Sequence, residues 1–224
     1  AGNVISGNGA HGVQVRGLPS TGNVIEGNLI GTDAAGNSAL GNAASGIIVS
    51  GGTGTQIGGA AAGAGNVIGG NAGNGVWLVT SLSDDNVVEG NSIGTDESGT
   101  LNLGNGVYGV VVSNGSNNRI GGAGAGNTIA FNGSPGVAIL KSALGNTISE
   151  NSIFQNGGRG IDLNQSPLLG IECIAGHGAR VHQGIGFGIN DPRLGAQILD
   201  NARHVDARSQ VQTVDTSSTS LGAS

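Results

Sequence analysis

The stretch "NVIEGNLIGTD" at residues 23–33 returns as "NVVEGNSIGTD" at residues 86–96, a shift of 63 positions (86 − 23). Each copy holds two phrases of four to six residues in which aliphatic side chains alternate with polar ones, and that is strand length rather than helix length. Working outward from these copies, related phrases fill the chain as far as residue 164. One family reads G-V/I-x-V/L/I, at Gly12, Gly46, Gly75, Gly109, Gly136 and Gly160. A second comprises "NVIEGN" at Asn23, "TQIGGA" at Thr55, "NVVEGN" at Asn86, "NRIGGA" at Asn118 and "NTISEN" at Asn146. The third comprises "NVISGN" at Asn3, "NLIGTD" at Asn28, "NVIGGN" at Asn66, "NSIGTD" at Asn91, "NTIAFN" at Asn127 and "NSIFQN" at Asn151.

Alternation fixes which residues point inward. In the first phrase Ile47 and Val49, Val76 and Leu78, and Val110 and Val112 share a face. In the second, Ile25, Ile57, Val88, Ile120 and Ile148 do so, and in the third Ile5, Ile30, Ile68, Ile93, Ile129 and Ile153. Three short strands per turn, each supplying aliphatic residues at matching places, form coils that stack about 4.8 Å apart. The expected fold is all-β, a parallel solenoid of about six coils. Coils beginning at Gly12 and Gly75 carry a long loop after the third strand ("AAGNSALGNAAS" from Ala34, "ESGTLNLGNGVY" from Glu97). Those at Gly46 and Gly109 carry a Gly/Ala loop between the second and third strands, so the rhyme recurs every second coil. Three residues beyond each inward third-strand Ile stand Asn8, Asp33, Asn71, Asp96, Asn132 and Asn156. These predict a turn ladder, because Asn and Asp bond turn amides and stacked amides bond along an axis.

With these phrases the chain resembles the right-handed parallel β-helix superfamily of pectate lyases, polygalacturonases and pectin methylesterases, and within it the "NxIxGNxIGTD" repeats of large bacterial surface or secreted proteins. The resemblance implies a right-handed winding, a secreted or cell-surface location and carbohydrate as partner. It rests on scaffold positions and so assigns no chemistry.

Composition narrows the partners. The chain has 224 residues, 47 of them Gly, with 2% aromatic and 10% charged residues, a net charge of −6 and a pI of about 4.9. Lys141 is the only lysine and the seven arginines are scattered singly, so no basic stripe exists for a phosphate backbone, and nucleic acid is not expected. No apolar run approaches the ~20 residues that span a bilayer. The chain opens inside a repeat ("AGNVISGN"), so a mature or excised fragment is expected. No cofactor motif stands out, and a metal site is not expected. Cys173 with His177 and His182 lies in an irregular segment, and "GGTGTQIGG" from Gly51 has Gln56 where a calcium-binding repeat needs Asp.

The repeats divide the chain into a solenoid, residues 1–166, and a C-terminal tail, 167–224, that caps the solenoid or serves assembly. In the tail, "NDPRLGAQILDNARHVDARSQV" from Asn190 predicts a short helix, with Asp191 as N-cap and Pro192 as first helical residue.

Two functional readings remain open. Glu26 and Glu89 occupy equivalent outward second-strand places two coils apart, about 9.6 Å, close to the upper limit of the ~6.5–9.5 Å that separates the carboxylates of inverting glycosidases. They are candidate catalytic residues, with Gly58 between them as a place where a sugar could meet backbone. Asp33 with Asp96, and Arg159 with Asp162, are weaker pairs that read as turn and surface ion pair. The outward first-strand places hold Ile48, Trp77, Val111 and Ala138 in successive coils, an apolar stripe expected to meet water and to serve as an interface. The favoured expectation is a non-catalytic extracellular segment, self-associating through this stripe as a stalk or adhesin, or contacting glycan. The alternative is a glycan-acting hydrolase, lyase or ester hydrolase using the outward carboxylates.

Overall fold

A computed structural model describes residues 2–18 and 20–163, together with the backbone of a strand at Cys173–Ile174. The strands follow in triplets. After β1 (Val4–Ile5) come β2 (Val13–Arg16), β3 (Val24–Ile25) and β4 (Leu29–Ile30), then β5 (Ile47–Ser50), β6 (Gln56–Gly58) and β7 (Val67–Ile68). Next are β8 (Val76–Val79), β9 (Val87–Glu89) and β10 (Ser92–Ile93), followed by β11 (Val110–Ser113), β12 (Arg119–Ile120) and β13 (Thr128–Ala130). β14 (Val137–Leu140), β15 (Thr147–Ser149), β16 (Ser152–Phe154), β17 (Ile161–Asp162) and β18 (Cys173–Ile174) complete the order.

These strands form three parallel sheets of six strands each. The first contains β2, β5, β8, β11, β14 and β17, the second β3, β6, β9, β12, β15 and β18, and the third β1, β4, β7, β10, β13 and β16. Every third strand is therefore a neighbour, all pairs are parallel, and the described residues contain no helix. The fold is a parallel β-helix. β18 pairs with β15 beyond the boundary at residue 166 that the repeats suggest. The expected tail helix, and the side chains of Cys173, His177 and His182, lie outside the described residues.

Short strands suffice because register aligns like with like. Ile30, Ile68, Ile93 and Ile129 face one another across the third sheet, and Ile57, Val88 and Ile120 across the second. Together with Ile47, Val49, Val76, Leu78, Val110 and Val112 of the first sheet they are fully buried in one continuous cluster. Burying each such side chain contributes about 1.5–3 kcal/mol, and the repetition lets a core almost without aromatic residues hold the tube together.

Asparagine satisfies the corners. One column runs from Asn3 through Asn28, Asn66, Asn91 and Asn127 to Asn151, each Nδ2 donating to the next Oδ1 at 2.8–3.0 Å. A second runs through Asn8, Asn42, Asn71, Asn105, Asn132 and Asn156. The sequence reading placed Asp33 and Asp96 in this column, and that assignment is corrected here. The long loops are inserted ahead of the ladder position, so Asn42 and Asn105 fill it at the far end of each loop. Counting three residues from the inward Ile works only where no loop intervenes.

A third column links Asn86, Asn118 and Asn146 and is interrupted at Thr55. The Thr55 amide donates to Asn86 Oδ1 at 2.8 Å, as a ladder residue's would. Its hydroxyl and the Nδ2 of Asn23, both buried, have no partner among the described residues. Thr55→Asn would accept from Asn23 and donate to Asn86, closing the gap. The expected result is a gain of about 1 kcal/mol, read as a higher urea midpoint, and no gain would show that the gap is better filled as it stands.

Candidate functional site

The two long loops define the site. Between β4 and β5, and again between β10 and β11, the chain leaves the tube just after the buried third-sheet isoleucine. Each excursion is pinned as a small antiparallel turn, Thr32 bridging Ala39 and Thr95 bridging Asn102. Asp33 Oδ1 accepts the amides of Asn37 and Ser38 at 3.1 and 3.3 Å. Asp96 Oδ1 accepts those of Thr100 and Leu101 at 2.9 and 2.7 Å. A carboxylate that gathers amides four and five residues on is the local reason for the repeated Thr-Asp. The rung between them passes from Ile68 to Asn71 through Gly69 and Gly70 alone. A rung without a loop between two rungs that carry one leaves a gap.

The gap lies over the outward face of the third sheet, where register stacks Leu29, Val67 and Ser92. A depression of about 420 Å³ has Leu29 and Val67 as floor, Ala35, Gly36 and Asn37 as one wall and Asp96, Glu97 and Ser98 as the other. A second, of about 370 Å³, shares Leu29, Val67 and Glu97 and continues over Gly27, Gly65, Gly90, Ser92 and Gly126. Through these shared residues they adjoin as one open groove. Its glycine end is bare backbone because rungs meet there: a Cβ on Gly65 would lie 2.0 Å from the Gly90 carbonyl oxygen, and one on Gly126 1.8 Å from that of Glu150.

Asp96 and Glu97 differ in electrostatics. Partial burial works against the charged form of Asp96, but the Leu101 amide, the Ser98 hydroxyl and the Thr100 and Ser98 amides outweigh it and hold the carboxyl well below the usual range. Asp96 is thus a fixed anion whose oxygens are committed to the loop. Glu97 is exposed and has no hydrogen-bond or ion-pair partner among the described residues. Because the folded pKa of Asp96 is lowered, its contribution is fully present above the ordinary carboxylate value near pH 4 and is lost only as pH falls through the lowered one. The amide resonances of Thr100 and Leu101 should therefore stay native-like from neutral pH down to about pH 4, and should shift toward random coil in Asp96→Ala. Unshifted resonances in that variant would show that the carboxylate does not hold the loop.

The residues singled out from sequence stand elsewhere. Register places Glu26, Gly58 and Glu89 in one column of the second sheet, as expected. Each carboxylate is engaged by the following rung, however. Gln56 Nε2 donates to Glu26 Oε1 at 3.3 Å, and Arg119 Nη2 pairs with Glu89 Oε2 at 2.8 Å. Glu89 is buried, not outward in solvent. Gly58 has φ of +78°, and its Cβ position lies 2.1 Å from the Glu89 carbonyl oxygen of the next rung, which accounts for glycine there by rung packing. The Arg159–Asp162 ion pair forms at 3.3 Å.

Ile48, Trp77, Val111 and Ala138 do stack in one first-sheet ladder. The expectation that they all meet water is corrected: Ile48, Val111 and Ala138 are buried, and Trp77 alone is partly exposed. Alternation tells which way a side chain points and not what lies beside it, and at about 4.8 Å ladder neighbours shield one another's flanks. Among the described residues no three His, Cys, Asp or Glu side chains gather as a metal site would require, and no helix is long and apolar enough to cross a membrane. The groove itself escaped the sequence reading. Its signal was there in the alternation of looped and loopless rungs, with "IGGN" at 68–71 set between the two Thr-Asp loops.

No protein-family model matches the chain, and no curated protein matches it. Among solved structures, it is similar to the A-module of a mannuronan C-5 epimerase from Azotobacter vinelandii, at 21% identity and a TM-score of 0.54. The match covers 71% of this chain and 36% of that one, so the chain spans about a third of the structure it resembles. At that identity the likeness is one of fold.

Proposed function

We propose that this β-helix belongs to an extracellular bacterial protein and contacts glycan, without catalysis, along the groove over its third sheet. The observation that carries the reading is the groove, an open cleft with bare backbone at one end and polar loop walls at the other. A polysaccharide suits such a cleft, presenting hydroxyls to amides and carbonyls and ring faces to small side chains. That a mannuronan epimerase module shares the fold makes a polysaccharide partner compatible with it.

The state of the carboxylates supports the non-catalytic half. Glycoside hydrolysis needs two, one for proton transfer and one for the nucleophile or base. Asp96 is spent on its loop, Glu89 on Arg119, and Glu26 takes Gln56, which leaves Glu97 without a second free acid beside it. The test is a glycan array probed with the wild type and with Ser92→Phe, which fills the groove. Binding that falls at least tenfold in the variant supports the reading, and retention of all binding defeats it. The enzymatic alternative would replace it if turnover of neutral or uronic polysaccharides, or of simple esters, were found and were abolished by Glu26→Gln or Glu89→Gln.

Self-association as a stalk through the first-sheet ladder is supported by Trp77 alone, since its neighbours are already covered. Sedimentation should give a smaller species for Trp77→Ser than for the wild type. A monomer in both cases would remove this contact.

A further inference from the structure

We infer that the groove selects a glycan bearing protonated amines and rejects polyuronate. The inference rests on the glycan reading above and adds the charge class of the ligand. Among the residues that line the two depressions, the ionisable ones are Asp96 and Glu97, both carboxylates. They stand on the same wall, and Glu97 borders both depressions. Asp96 remains ionised because its loop amides demand it, so the anionic character persists across the pH range in which an amino sugar carries charge.

The surroundings add charge of the same sign. Glu150 Oε2 accepts the Gly124 amide at 2.9 Å at the glycine end. Arg119, at the base of the Gly121–Gly126 turn, is neutralised by Glu89. The chain as a whole carries −6. A polyuronate would bring one carboxylate per sugar against these anions with no cation among the lining residues to receive it, a like-charge placement that disfavours binding, whereas an ammonium beside Glu97, which has no partner among the described residues, gains a charge-assisted hydrogen bond.

The test uses three probes of similar length, an oligomer of glucosamine, its fully N-acetylated counterpart and an oligomer of mannuronate, titrated calorimetrically into the wild type, Glu97→Gln and Ser92→Phe near pH 6. The expected result is glucosamine oligomer bound at least tenfold more tightly than the N-acetylated one, no mannuronate binding, and a preference that shrinks with added salt and in Glu97→Gln. Circular dichroism unchanged from the wild type certifies that the variants fold. Equal or tighter binding of the N-acetylated or mannuronate oligomer, lost in Ser92→Phe, would overturn the charge inference while leaving the groove as a glycan site. A glucosamine oligomer bound equally well by wild type and Ser92→Phe would place any binding outside the groove and overturn the inference, and failure of all three probes to bind would overturn it as well.

Discussion

Asn71→Ala is expected to cost about 3–5 kcal/mol, on the scale of ~1–3 kcal/mol for each buried polar group left without a partner. Asn71 is 1% exposed and sits mid-column. Its Oδ1 receives the backbone amide and the Nδ2 of Asn42, at 3.2 and 2.8 Å. Its Nδ2 serves Asn105 Oδ1 at 2.9 Å and the carbonyls of Ile30 and Gly69 at 3.2 Å. Truncation takes the acceptor from the Asn42 amide, leaves the Asn42 Nδ2 with the Ile5 carbonyl alone at 3.0 Å, and withdraws a donor from three acceptors. Asn71→Asp should cost at least as much, because it keeps the acceptor but buries a charge. Asn37→Ala, on an exposed loop, should change stability by less than about 0.5 kcal/mol. Urea unfolding followed by far-ultraviolet dichroism reads all three, and an Asn71→Ala midpoint within error of Asn37→Ala would mean that the columns ornament the corners and do not hold them.

Gly94→Ala is expected to be comparably severe, about 3–5 kcal/mol or failure to accumulate folded protein, by adding backbone strain to overpacking. Gly94 has φ of +83°, a region that a Cβ disfavours. The added carbon would lie 2.0 Å from the Ala130 carbonyl oxygen and 2.6 Å from Asn132 Oδ1. Neither can retreat, since one belongs to the next strand's backbone and the other to a ladder. Gly7 separates the two contributions: its φ is +68°, but nothing lies within 4 Å of its Cβ position. Gly7→Ala should thus cost only the strain, about 1–2 kcal/mol. Equal midpoints for the two variants would refute close rung packing as the reason for glycine at 94.

Legibility followed from how local each cause was. Ile30, Ile93 and their counterparts were readable because a two-residue period decides their direction whatever the neighbours do. The ladder was half readable: Asn8, Asn71, Asn132 and Asn156 were found by counting, whereas Asn42 and Asn105 were missed because the count had to pass over an excursion whose length no period reveals. Glu26 and Glu89 were correctly set in one column, yet their partners Gln56 and Arg119 reach across rungs by side-chain conformation, which spacing cannot express. The groove was least visible, since it is made by the absence of a loop at Gly69 and Gly70 between two loops that are themselves distant in sequence. Glu97 carries no local signature at all and matters only for what it borders.

The hydrogen bonds from one carboxamide to the next have a sense: each Nδ2 gives to the Oδ1 of the later rung, and each Oδ1 receives from the earlier one. Lengthening or shortening the tube by splicing is therefore tolerated only in whole units that preserve this order and the alternation of looped and loopless rungs. Copying the block from Asn23 to Asp85, 63 residues, would continue the two unbroken asparagine columns across both seams, add about 9.6 Å of length, and lay a second cleft beside the first. Valency toward a long polymer could thus grow by duplication alone.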